Sequence, residues 1–303
     1  MKILCVCLSP TIQRTITFDS FNTGKVNRSQ IWREDASGKA LNAARVLNQL
    51  EPGSSVALCP VGNANAEHFM ILASNDTNLY VTPIYIEGNT RECWTILDKT
   101  GKTTTEVISD ELQNPLHIAG AEAELKLLEF VRKDMMVCDA LLFAGSRPSN
   151  WSANICGRIC DVAKKAGKTI LADFRGEDLL TTLKVCTPDI IKLNETEFCQ
   201  TFIGKSLSED ELVSEISKKS AELKNIIVVT RGTKDTLSAD NGKAYRTPIE
   251  NITAINTTGC GDTFDAGFLN NYLNNKDMES ALKAGTHCAA LNAQTIVPGS
   301  INL

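Results

Sequence analysis

Ala140-Leu141-Leu142-Phe143-Ala144, the segment Ile155 to Ala166, and Thr169-Ile170-Leu171-Ala172-Asp173 decide the fold. The first and third are apolar runs too short to be helices, which is how a strand buried on both faces reads. The segment between them spaces its apolar residues three and four apart, so they share one face of a helix. A strand, a helix and a second strand in that order place the two strands parallel, because the helix carries the chain back along the sheet. Further short runs extend the pattern: Ile3 to Leu8, Val56 to Val61, Ile190 to Leu193 and Ile226 to Thr230. Helical spacing recurs over Leu41 to Leu50, Ala121 to Arg132, Glu209 to Leu223, Thr263 to Leu273 and Met278 to Ala293. The alternation predicts an α/β protein with a mostly parallel central sheet covered by helices on both faces.

Two segments break the rhythm. Thr11 to Phe18 (TIQRTITF) alternates with the period of a half-buried strand, and Glu92 to Val107 (ECWTILDKTGKTTTEV) reads as a hairpin turning at Lys99 to Lys102. Neither leads into a helix, so both are assigned to a small sheet outside the main one. Such a sheet is either a lid over the crevice at the strand ends or an edge hairpin with no role, and pattern alone leaves both open. No repeat, low-complexity tract or linker interrupts the sequence. One domain, 1–303, is expected, with lid strands inserted at about 11–34 and 84–107.

The net charge of -5 over 303 residues, with no dense Lys/Arg cluster, argues against a nucleic-acid partner. Small anions remain compatible with it, because a few local charges and backbone N–H groups suffice to bind them. Ile3 to Leu8 is too short for a membrane span or a signal segment, and Pro10 closes it. The eleven cysteines form no CxxC pair, and His68, His117 and His287 are scattered. Reduced thiols packed as small apolar residues are expected, in a soluble cytoplasmic protein without a membrane partner.

Chemistry-bearing residues collect in three loops. Asn256-Thr257-Thr258-Gly259-Cys260-Gly261-Asp262-Thr263-Phe264 follows a β-rich stretch and opens a helix. Small residues there let a ligand approach the backbone, and the N–H groups at a helix start favour a phosphate oxygen. Asp262 in that position is either a base or a helix cap. Ser37-Gly38-Lys39-Ala40-Leu41-Asn42 is a second small-residue loop running into a helix, able to hold an anionic or polyhydroxyl group through Lys39 and Asn42. Asn194-Glu195-Thr196-Glu197 follows the strand ending at Leu193, at the carboxyl edge where open α/β sheets bind ligands.

Together these residues resemble the PfkB family of ribokinase-like carbohydrate kinases, nearly end to end. The likeness includes Leu8-Ser9-Pro10-Thr11-Ile12, Asp35 to Lys39, Thr90-Arg91, Gly145-Ser146-Arg147-Pro148, Asn194 to Glu197, Thr230-Arg231-Gly232 and Thr258 to Asp262. Val26-Asn27-Arg28, Thr90-Arg91 and Leu291-Asn292-Ala293-Gln294 are most similar to the branch of 1-phosphofructokinases and tagatose-6-phosphate kinases. The resemblance implies a ribokinase-like fold and an ATP-dependent kinase acting on a phosphosugar. It makes Asp262 the general base and the N–H groups of Gly259, Cys260 and Gly261 the anion hole. Asn194 and Glu197 would position Mg²⁺ through water. Lys39 and Arg91 would grip a phosphate already on the sugar, with Gln13, Gly38, Asn42 and Ser146 completing the substrate site. Thr230, Gly232, Thr258, Asn292 and Asn194 would border ATP, and Asp173 and Arg175 would lie near its phosphates unless they only stabilise a turn. Family members often pair through the lid, so a homodimer is expected, its surface formed by Ile16, Phe18, Trp94 and Ile96.

The chain departs from the family pattern at the sugar end. Gln13 stands where an aspartate is usual, and Ser37 and Ala40 replace glycines. Cys260 replaces a usual alanine or serine, Asp235 a common glycine and Asn256 a frequent aspartate. These changes keep two alternatives in view: a kinase of an unphosphorylated sugar or nucleoside, and a non-catalytic sugar- or nucleotide-binding paralogue. A dinucleotide-dependent dehydrogenase is disfavoured, because no GxGxxG follows the first strand.

Overall fold

The structure is a computed structural model that describes residues 1–109 and 120–301; His117 lies outside them. The chain begins with β1 (Ile3–Val6), β2 (Thr11–Phe18), β3 (Ile31–Ser37), α1 (Lys39–Leu50), β4 (Ser55–Gly62), α2 (Ala66–Ser74) and β5 (Val81–Ile86). It continues with β6 (Arg91–Asp98), β7 (Thr103–Ile108), α3 (Ala121–Asp134), β8 (Ala140–Ala144), α4 (Ile155–Lys165), β9 (Thr169–Asp173) and α5 (Gly176–Leu183). Next come β10 (Ile190–Asn194), α6 (Glu195–Phe198), a π-helical turn (Cys199–Ile203), α7 (Glu209–Leu223) and β11 (Ile226–Arg231). The last elements are β12 (Lys234–Asp240), β13 (Lys243–Thr247), α8 (Cys260–Asn275) and α9 (Met278–Ala293).

The large sheet has the order β13-β12-β11-β10-β9-β8-β1-β4-β5. From β11 to β5 the neighbours pair parallel, as the apolar runs predicted, while β12 and β13 extend the other edge antiparallel. Alternation along the strands divides the core into two layers. Leu4 and Val6 of β1 pack with residues of α3, α4 and α7, whereas Ile3 and Cys5 pack on the opposite face with α1, α8 and α9. Each such Ile, Leu or Val, fully buried, stabilises the fold by about 1.5–3 kcal/mol.

The small sheet runs β3-β2-β6-β7, with β2 parallel to β6 and the β6–β7 hairpin turning over Lys99–Lys102 as read from the sequence. Its boundaries differ from the expected 11–34 and 84–107. β3 continues to Ser37, and Val81–Ile86 joins the large sheet beside β4, so the second lid segment runs from Arg91 to Ile108. The apolar strip differs too: Ile16, Phe18, Trp94 and Ile96 are half-buried, and the widely exposed apolar residues of this sheet include Ile31 and Trp32 of β3. Among the described residues, no helix is long and apolar enough to cross a membrane.

Candidate active site

The loop before α8 is shaped by its own small residues. Gly259 has a φ of +84° in the left-handed region, and a Cβ there would lie 2.7 Å from the Gly299 backbone nitrogen, so only glycine fits. α8 therefore starts abruptly at Cys260, and the N–H groups of its first turn lack intrahelical acceptors. Among them, the Cys260 N–H donates to the Thr257 carbonyl, outside the helix, at 3.3 Å. That contact differs from the expected three-donor hole and leaves Gly261 and Asp262 as the first-turn N–H groups beside Gly259. Asn292 braces the loop: its Nδ2 donates to Thr258 O (3.0 Å) and Cys260 Sγ (3.3 Å), while its Oδ1 accepts from the Gly299 and Ser300 N–H groups.

Asp262 is buried, and its Oδ2 accepts from Asn42 Nδ2 at 2.8 Å. The Asn42 amide is held in that orientation by two donors to its Oδ1, Ser37 Oγ at 2.8 Å and Arg45 Nη1 at 3.0 Å. Arg45 is itself buried, donates to the Ala36 and Pro298 carbonyls and pairs with Asp76. Burial raises the Asp262 carboxyl from 3.8 to about 6; Lys39, the Asn42 hydrogen bond and Lys192 oppose the rise, and Asp173 adds to it. A carboxyl so placed is ionised at neutral pH yet accepts a proton readily, which suits a general base.

A charged cluster lies beneath this turn. Lys192 of β10 is buried 3.1 Å from Asp173 Oδ2 and 3.7 Å from Asp265 Oδ2. Lys39 Nζ is 3.2 Å from Asp173 Oδ1. Burial works against an ionised Asp173, but Lys192 and Lys39 together hold it below the usual carboxylate range. Asp173 in turn raises Lys39, and burial works against a charged Lys192, which Asp173 at 3.1 Å and Asp262 hold above the usual lysine range. A Cβ on Gly261 would lie 2.7 Å from Lys192 Nζ, so the ammonium sits directly against the backbone that opens α8.

One cleft of about 720 Å³ joins these parts, a volume in the range of ligand sites. Its large-sheet wall includes Gly38, Lys39, Asn42, Asn194, Glu197, Thr230, Thr258, Gly261 and Asp262. The small sheet supplies Gln13 and Arg91, so it is placed as a lid over the crevice. Thr258 Oγ1 donates to Glu106 Oε1 of β7 at 3.3 Å, a direct link from lid to loop. Gln13 spends its amide nitrogen inside the lid, donating to Thr95 Oγ1 at 2.8 Å, and Arg91 Nη2 donates to Ser9 O at 3.1 Å. Arg91 also borders a second cavity with Asn65, Thr90 and Trp151.

Asn194 and Glu197 form a capping box at the start of α6. The Asn194 side chain accepts from the Glu197 N–H at 2.9 Å, and Glu197 Oε2 accepts from the Asn194 N–H at 3.0 Å. Asn194 Oδ1 and Glu197 Oε2 each already hold a backbone donor, so the pair suits hydrogen bonding to the water shell of a small hard cation better than direct ligation through those atoms.

Some expected site residues fall outside the cleft lining. Asn292 is a brace behind the loop, Gly232 occupies the β11–β12 turn, and Cys260 Sγ turns toward Asn292. Ser146 is exposed, with its Oγ 3.2 Å from Ser9 Oγ. Lys39 lines the same cleft as Arg91, with its ammonium paired to Asp173. Lys192 and Asp265 were missed. Their signals were present: a lysine inside the apolar run Ile190-Ile191-Lys192-Leu193, and an aspartate one turn after Asp262 on an otherwise apolar helix face.

A profile described as pfkB family carbohydrate kinase matches residues 2–301. A solved protein described as a possible 1-phosphofructokinase from Thermotoga maritima has a TM-score of 0.87 at 20% identity, covering 98% of this chain and 93% of that one. The tetrameric inhibited form of phosphofructokinase-2 from Escherichia coli gives 0.83 at 18% identity, covering 96% and 94%. Phosphofructokinase-2 from Escherichia coli in complex with fructose-6-phosphate gives 0.82 at 19%, covering 96% and 93%. At these identities the structural likeness is one of fold.

Proposed function

The chain belongs to the pfkB family of carbohydrate kinases, and from that premise we propose that it transfers the γ-phosphoryl group of ATP to a hydroxyl of a hexose phosphate, with Asp262 as general base. The observation that carries this reading is the buried Asp262 carboxylate, aimed by Asn42 and raised to about 6, at the mouth of a helix-start anion site.

The sugar hydroxyl donates its proton to Asp262 as its oxygen attacks the γ-phosphorus. First-turn N–H groups of α8 face the negative charge that develops on the phosphoryl oxygens, and Lys192 adds a fixed positive charge behind Gly261. Asn194 and Glu197 would hold Mg²⁺ through water; the ion, when bound, neutralises phosphate charge. No covalent nucleophile is needed. Thr230 and Thr258, which line the cleft, would border ATP, with Asn292 bracing Thr258 from behind and Gly232 in the turn after β11.

Arg91, on the lid side, supports a substrate that already carries a phosphate, because its planar fork can hold two phosphate oxygens. Gln13 has its nitrogen occupied by Thr95, leaving the amide oxygen to accept from a sugar hydroxyl without adding charge. Eleven free thiols, ten of them buried, support a cytoplasmic site of action. Ile31 and Trp32, exposed on the lid beside Ile16 and Phe18, support pairing of two copies through this sheet.

A coupled ADP-release assay tests the function over fructose 1-phosphate, fructose 6-phosphate, tagatose 6-phosphate and the corresponding free sugars. The expected outcome is kcat/KM at least about tenfold higher on one phosphosugar than on its free sugar. Preference for a free sugar overturns the substrate class, and binding without turnover on any of them overturns the enzyme.

A further inference from the structure

We propose that Asp265, one turn beyond the base on α8, is a positioning residue that works as an un-ionised acid, donating one hydrogen bond to Asp173 and leaving Asp262 as the single working base of the cluster. The inference rests on the kinase reading given above.

Asp265 is fully buried, and neither of its carboxyl oxygens meets a hydrogen-bond donor. The cation beside it, Lys192 Nζ, is 3.7 Å away and lies closer to Asp173, at 3.1 Å. Lys39 is also committed to Asp173. The charged groups acting on Asp265 are thus Lys192 from β10, Asp173 from β9 and Asp262 on its own helix. Lys39 of α1 acts through Asp173, and α9, packed along α8, adds no charged group to that set.

An ionised Asp265 would be a third carboxylate shared by two ammonium groups, buried and without a donor, an arrangement that costs several kcal/mol. With a proton it becomes a donor, and the Asp173 carboxylate, which shares the Lys192 ammonium with it, is the acceptor beside it. Burial and the two neighbouring aspartates drive the group in the same direction. The charges then balance, two lysines against Asp173 and Asp262. Loss of the proton would place an extra negative charge under the turn that must attract phosphate. Asp262 lines the cleft and Asp265 does not, so only Asp262 can reach a substrate hydroxyl. Asp265 acts through Asp173 and Lys192 instead, holding the ammonium against Gly261.

Two variants of the full chain separate the possibilities. Asp265→Asn keeps a neutral donor and is expected to retain kcat within about threefold, whereas Asp265→Leu, with no donor, should lose about tenfold or more in kcat at unchanged sugar KM. Equal damage in both variants, or wild-type kcat in Asp265→Leu, overturns the proposal. An infrared readout is independent of turnover. At alkaline pH, where Asp262 is ionised, the wild-type protein should retain the C=O stretch of a protonated buried carboxyl, and Asp265→Asn should remove it. Absence of that band in the wild type refutes the proposal whether or not any sugar is phosphorylated; its presence in a protein without turnover would overturn the kinase reading alone.

Discussion

Replacing Asp262 by Asn should stabilise the protein while nearly abolishing its activity. The folded carboxyl is raised from 3.8 to about 6, so the native state binds its proton more tightly than the unfolded chain does. Stability is therefore highest below the unfolded value and falls as pH rises through the folded one, by about 3 kcal/mol in all. Asparagine keeps the oxygen that accepts from Asn42 but never ionises. Urea unfolding of Asp262→Asn should thus show a gain approaching about 3 kcal/mol near pH 8, shrinking to about 1.5 kcal/mol near pH 5. Turnover of the same variant should fall by about 10²- to 10⁴-fold. In the wild type, the acid limb of kcat/KM should have its midpoint near pH 6, above the ordinary aspartate value of 3.8. Wild-type turnover in the variant, or a stability gain that does not grow with pH, would refute the reasoning.

Asn42→Ala removes the hydrogen bond to the ionised base, so the acid limb should move up by about one pH unit, which a pH–rate profile would read. Gly261→Ala places a Cβ 2.7 Å from Lys192 Nζ, too close for both to stay in place. Its kcat should drop by about tenfold or more while unfolding free energy changes by no more than about 1 kcal/mol, since alanine favours the helix; unchanged kcat would count against a role for Lys192. Glu197→Gln should raise the Mg²⁺ concentration for half-maximal activity by about tenfold, measured by metal titration after chelation. An unaltered titration would remove Glu197 from the metal site.

The central strands were legible because burial on both faces leaves a continuous apolar run, as in β8, β9, β10 and β11. The edges were not. β5 contains Pro83 and, among the described residues, pairs only with β4, a position that tolerates a missing N–H and weakens the strand signal. β12 and β13 are polar, although Asn241-Gly242 between them is a hairpin signature that could have revealed them. At the site, the loops around Asp262, Lys39 and Asn194 were readable as short local patterns. What they do in three dimensions was not. Lys39 pairs with Asp173, and Asn292 braces backbone rather than lining the cleft; both outcomes depend on contacts between residues more than thirty positions apart. Asp265 was hidden by its apolar neighbours Phe264 and Phe268, which read as ordinary core.

The hydrogen bond from Asn42 to Asp262 spans 220 positions, and that from Arg45 to Pro298 spans 253. A ribosome adding about 5–20 residues per second makes the first partner of the base about 10–45 s before the base itself. During that interval α1 has no α8 to pack against, and the Asn42 amide has no carboxylate to aim. On the proposed reading, a nascent piece that ends before Asp262 carries no oriented base, however much of the sheet it has formed.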